Sequence, residues 1–172
     1  MSSPAPILQG QRPTLRFLLS HPAHLVALGF GAGLSPWAPG TLGTLLAIPL
    51  AFALWTWAND AAFLALVLVL LLGGAWASQR TGRDLGATDH GGIVIDEVAA
   101  FLLVLFFTGS QLSRIALAFV LFRLFDIVKP PPIRQIDARM KSGIGVMADD
   151  LVAAGFALVV YAAIVRVSGW PA

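Results

Sequence analysis

Cysteine is absent from the 172 residues of this chain. That excludes disulfides and thiolate ligands, so any bound metal must take oxygen or imidazole donors. Charge is also scarce. Only 12% of the residues are Asp, Glu, Lys or Arg, and the formal net charge is +2. With its basic residues scattered, the chain does not read as a nucleic-acid binder. The N-terminus lacks an uninterrupted apolar stretch followed by a small-residue cleavage site, because Pro4, Pro6 and Pro13 break it. It is therefore expected to be retained rather than removed as a signal peptide.

What remains is hydrocarbon. Apolar residues make up 58% of the chain and the mean hydropathy is +0.83, well above a soluble domain. The length suits one domain with a handful of membrane passes. Residues 1–20 read as a mobile tail, and 21–168 as a single membrane-embedded domain. His24 to Leu34 is apolar but short, and Pro36 and Pro39 forbid its continuation as a helix. It is expected to be an interfacial or re-entrant half-helix. Spans are expected at 44–57, 61–77, 93–107, 111–128 and 151–167. The expected fold is an all-α, polytopic membrane bundle of about four to five spans.

Segment order then fixes sidedness. The glycine-rich stretch around 35–44 precedes the first span, the next acidic motif follows two passes, and the last follows four. All three are expected on one face. Arg12, Arg16, Arg80, Arg83, Arg123, Lys129, Arg134, Arg139 and Lys141 share that face, against Arg114 and Arg166 on the other. The positive-inside rule makes the motif face cytoplasmic. Trp37 and Trp76 mark the near interface, and Trp55, Trp57 and Trp170 the far one.

The few acidic residues are not spread evenly. Seven of the nine fall in two stretches, DHGGIVIDE (Asp89 to Glu97) and the run from Phe122 to Asp150. Charge beside a lipid-facing segment is costly unless it is paired, metal-bound or wet. This clustering therefore points to a divalent-metal site at a membrane surface, suited to a phosphate. Asp96 and Glu97 lie about 100° apart on a helix, although a first turn could aim both at one ion. A lone exposed pair would read as acids complementing a helix N-terminus, but the apolar neighbours Ile93, Val94, Ile95 and Val98 imply partial burial and favour a functional role. Arg123 and Asp126, three apart, share a helix face, with Lys129 one turn on and Pro130 to Pro132 stopping the helix. A simple Arg–Asp pair would also explain that pattern. Of Asp149 and Asp150, one is expected to cap the last helix and the other to bind. Gly40, Thr41, Gly43 and Thr44 offer backbone N–H groups and two hydroxyls as an anion site. Gly29 and Gly33 read as a close helix-packing pair. His90 is a weak acid–base candidate, while His21 and His24 look merely interfacial.

The motifs GFGAGLSPWAPGTLGT, DHGGIVIDE, FRLFDIVKPPPIRQID and GIGVMADD, in this order over about residues 21–165, resemble the phosphatidylglycerophosphatase A family. These are integral-membrane lipid phosphatases of bacterial phosphatidylglycerol synthesis. The resemblance implies magnesium-dependent removal of the terminal phosphate of phosphatidylglycerophosphate, at the cytoplasmic face of the bacterial inner membrane.

The residues suit that chemistry. Asp96, Glu97, Asp126, Asp149 and Asp150 are the candidate magnesium ligands, with Asp96, Asp126 and Asp149 the candidate catalytic groups. Arg123, Lys129 and Arg134, assisted by Thr41 and Thr44, are the candidate phosphate-binding residues. Attack by an aspartate and attack by water are both compatible with the sequence. Asp137, in the basic stretch beyond the prolines, is expected to pair with cations rather than bind metal. The rival reading is a small ion-coupled transporter, which predicts midplane carboxylates and an internal repeat. No convincing repeat is present, and the acids lie at segment ends. Oligomeric state is left open.

Overall fold

Two prolines and a run of glycines decide how the chain enters the bundle. In the computed structural model, which describes residues 12–140 and 142–169, the chain is helical throughout, with no strand among those residues. Lys141 and Trp170, and the side chains of Ile136, Asp137 and Arg139, lie outside that description. The structure places helix α1 at Leu15–Leu18 and α2 at Pro22–Ala27, with Thr14 and His21 accepting from N–H groups of the first turns as N-caps. Helix α1 falls within the stretch read as a tail, yet its Phe17 and Leu18 are buried. The expected half-helix at 24–34 is two pieces. After α2 the chain forms a 3₁₀ segment at Gly29–Leu34, broken where Gly29, Phe30 and Gly31 take left-handed backbone angles.

Five longer helices follow: α3 (Pro39–Trp57), α4 (Asp60–Leu85), α5 (Ile95–Thr108), α6 (Leu112–Val128) and, after the short α7 (Ile133–Arg139), α8 (Gly143–Ser168). Pro39 begins α3 where its missing N–H costs nothing. Asn59 caps α4, and left-handed Gly86 ends it. Three of these helices, α3, α4 and α8, are long and apolar enough to cross a membrane. Helices α5 and α6 have 14 and 17 residues, or roughly 21 and 25 Å, short of the ~30 Å hydrocarbon core.

Helix α5 can be short because other helices surround it. It packs against α3, α4, α6 and α8, and Phe101, Leu102, Val104 and Leu105 are fully buried. Where lipid is as apolar as leucine, close van der Waals packing must hold helices together, and small side chains permit it. Ala47 and Ala51 of α3, Ala99 and Ala100 of α5, and Ala153, Ala154 and Ala157 of α8 all lie fully buried at these contacts.

Three boundaries differ from the sequence reading, the first at helix α3, which begins at Pro39 rather than Thr44. Helix α4 runs eight residues beyond Ala77. Helix α8 begins at Gly143, so neither Asp149 nor Asp150 caps it. Ser142 does, accepting from the N–H of Gly145. Gly143 lets the start of α8 lie directly against the Ala75 carbonyl of α4, where a Cβ would clash.

Candidate active site

One end of the bundle gathers the start of α3, the start of α5, the end of α6 and the second turn of α8. Each contributes polar side chains. One carboxylate oxygen each from Asp96, Glu97 and Asp150 lie within 4.8 Å of one another. The first turn of α5 does direct its two adjacent acids to one place. Asp150 also faces the carboxylates of Asp126 and Asp149. Asp96, Asp126, Asp149 and Asp150 are all buried.

Arg123 ties the elements together. Its Nη1 lies 2.6 Å from Asp126 Oδ2, as their three-residue spacing predicts, and 3.6 Å from Glu97 Oε1. The same nitrogen donates to Thr44 Oγ1 at 3.4 Å, so one guanidinium links α6, α5 and α3. Thr44 itself donates to the Gly40 carbonyl at 2.9 Å. Its hydroxyl thus links Gly40 to Arg123. Lys129 ends α6 in a left-handed conformation, and its Nζ sits 2.6 Å from Asp149 Oδ2.

The remaining candidates are not drawn in. Arg134 is exposed on α7 and makes no ion pair with the cluster among the described residues. Thr41 is half-buried in the first turn of α3, with no hydrogen bond to the cluster seen among the described residues. His90 accepts from the Gly92 N–H at 3.1 Å and so shapes its own turn. Gly33 and Gly92 meet backbone to backbone, and Gly29 abuts Val94, so these glycines admit a loop rather than a second helix.

Sequence reasoning missed one buried group. His24 is almost fully enclosed, with Nε2 2.9 Å from Asp84 Oδ2, Nδ1 3.0 Å from the Phe17 carbonyl, and its ring stacked on Phe17. Asp84 also accepts from Arg80 at 2.8 Å. This pair fastens α1 and α2 to the end of α4, and sixty residues of separation hide it from local patterns.

The cluster suits a divalent cation. Asp96 Oδ1, Glu97 Oε2 and Asp150 Oδ2 are buried without a hydrogen-bond partner among the described residues. Buried polar atoms are rarely left so. Five carboxylates meet two cations, a formal excess of three negative charges among the described residues. An all-oxygen donor set of this kind is the preference of magnesium, calcium or manganese.

A family model described as phosphatidylglycerophosphatase A matches residues 25–165, and these contain every cluster residue. The chain belongs to the phosphatidylglycerophosphatase A family of phosphatases. It is 40% identical over 153 residues to the phosphatidylglycerophosphatase A of Haemophilus influenzae, covering 88% of this chain and 94% of that one. It is 39% identical over 142 residues to the Escherichia coli phosphatidylglycerophosphatase A, covering 80% of each. A Bacteroides thetaiotaomicron relative, 35% identical over 151 residues (80% of this chain, 90% of that one), is provisionally named a phosphatidylinositol-3-phosphatase. No solved structure matches the chain.

Proposed function

We propose that this chain hydrolyses phosphatidylglycerophosphate to phosphatidylglycerol and inorganic phosphate, with magnesium, at the cytoplasmic face of a bacterial inner membrane. The observation that carries the reading is the convergence of Asp96, Glu97 and Asp150 beside Arg123 at one end of an apolar bundle. In the reaction, the bond between phosphorus and the glycerol oxygen breaks. A water oxygen replaces it, and the departing alcohol takes a proton. The difficulty is electrostatic, because negative charge must be gathered around phosphorus and on the leaving oxygen.

Asp96, Glu97 and Asp150, with Asp126 and Asp149 beside them, would hold magnesium. When bound, that ion would supply charge neutralisation and Lewis acidity. Arg123 offers a guanidinium fixed by three partners, so it would meet phosphoryl oxygens without reorganising. Lys129 would add a second cation at the rim, where its side chain is more exposed than Asp149. Both lie at a helix end, which lets a lipid keep its tails in the bilayer while its headgroup reaches the acids. The bias of basic residues towards this end supports the cytoplasmic orientation.

Phosphate release by the purified full chain, from phosphatidylglycerophosphate and from a phosphoinositide, tests the reading. Magnesium-dependent release from the former, at least about tenfold above the latter, is expected. Release that is indifferent to chelation, or that favours the phosphoinositide, would refute it.

A further inference from the structure

Consecutive helices α3 and α4 barely pack against each other, although both pack closely on α5. The gap between them is a cleft of about 350 Å³. Leu46, Pro49, Leu50 and Ala53 of α3 form one wall, Leu70 of α4 the other, and Ile95 and Val98 of α5 the floor. Gly29 and Phe30 also line it. The α3 residues recur at helical spacing on one face, which makes the wall continuous.

We propose that this cleft holds an acyl chain of the lipid whose phosphate occupies the carboxylate cluster. The proposal rests on the reaction given above for its substrate. Three features support it. The lining is almost purely hydrocarbon, and the volume lies within the range of ligand sites, ~300–1,000 Å³, rather than that of packing defects. The cleft lies between two helices long enough to span a bilayer. Its floor includes Ile95, the residue directly before Asp96, so it ends beside the charged site.

Phe30 strengthens the case. It is 69% exposed, yet its φ of 54° is in the left-handed region that bulky residues avoid. Strain of this kind persists where the surroundings impose it, commonly at ligand-binding positions. Here it holds an aromatic ring over the mouth of the cleft.

The test uses the full chain in vesicles with two substrates, a long-chain phosphatidylglycerophosphate and a water-soluble short-chain analogue. Ala53→Phe fills the cleft from a position with room for the ring, and Phe30→Ala removes the cover. Each should raise KM for the long-chain lipid by about tenfold, the loss of roughly two buried methylene groups. Turnover of the short-chain analogue should stay unchanged. A diazirine on one acyl chain of the long lipid should label the peptide containing residues 46–53, and Ala53→Phe should abolish that label. Unchanged long-chain KM in both variants overturns the proposal. So does a label spread evenly over the outer faces of α3, α4 and α8, which marks bulk lipid, or cross-linked dimers through α3. Wild-type protein that hydrolyses neither substrate would overturn the reaction itself, and with it the lipid's identity. Wild-type protein active on both, but indifferent to cleft filling, overturns the cleft alone.

Discussion

Gly40 lies against the Glu97 carboxylate so closely that a methyl group on residue 40 would clash with Glu97 Oε1 and sit 3.3 Å from Arg123 Nη1. Each belongs to the first turn of its helix, so the N-termini of α3 and α5 converge on the same acid. The partial positive charge at both helix starts favours a carboxylate there. A residue whose sequence context suggested only a donated N–H therefore proves to be a wall of the site.

Gly40→Ala should accordingly damage activity without damaging the fold. Alanine is the better helix former by about 0.5–1 kcal/mol, so the backbone gains from the change. Glu97 or Arg123 must nevertheless move, and a displacement near 1 Å commonly costs on the order of 100-fold in rate. Gly73, in open space on α4, is the control. Gly73→Ala should leave turnover within about twofold and hold or raise the melting temperature. Equal effects on activity from the two substitutions would remove Gly40 from the site.

Arg123→Lys keeps the charge but loses the planar fork that reaches α3, α5 and α6 together. Phosphatase kcat should fall by roughly 10–100-fold. Arg134→Ala should change it by no more than about twofold, because Arg134 stands exposed outside the cluster. A larger loss at Arg134 than at Arg123 would return Arg134 to the phosphate site its sequence position suggested.

Helix bundle and acidic cluster were legible because both leave local marks. Apolar runs of this length have few alternatives, and charges at their ends stand out against hydrocarbon. Positions that depend on distant partners were not legible. Asp149 and Asp150 satisfied the local rule for a cap, but the helix begins at Ser142, where Gly143 fits against Ala75. Arg134 followed a proline stop and looked well aimed, yet after the left-handed turn at Lys129 its side chain stands exposed on α7. The partnership of His24 with Asp84 has no signature in either neighbourhood.

Asp150→Asn should separate stability from function. Asp150 is buried among the carboxylates of Glu97, Asp126 and Asp149, so losing its charge relieves repulsion when no cation is present. The metal-free variant should melt higher than metal-free wild type and have phosphatase activity reduced by about 100-fold or more. Magnesium at 100 times its dissociation constant should stabilise the wild type by about 2.7 kcal/mol, and the variant far less. Asp126→Asn should likewise lose activity, while Asp89→Asn, on an exposed loop, should not. Thermal scans with and without magnesium decide the matter. A wild-type melting point that ignores magnesium, with Asp150→Asn melting lower, would replace the metal site with a network of structural ion pairs.

His24→Ala makes the opposite demand. Its imidazole meets Asp84 and the Phe17 carbonyl and stacks on the Phe17 ring, at a distance in sequence and element from the carboxylate cluster. Removing it leaves Asp84 only its Arg80 partner among the described residues and opens space between α1 and α4. The expected cost is about 1–3 kcal/mol of stability, the usual consequence of stranding buried hydrogen-bonding groups. It should appear as a lower melting temperature and faster proteolysis near residues 15–27. Turnover of the folded fraction should remain within about threefold, since a loss confined to stability touches no reacting group. A variant that melts like the wild type but loses turnover would make His24 a participant in the chemistry rather than the fastening of the N-terminal helices.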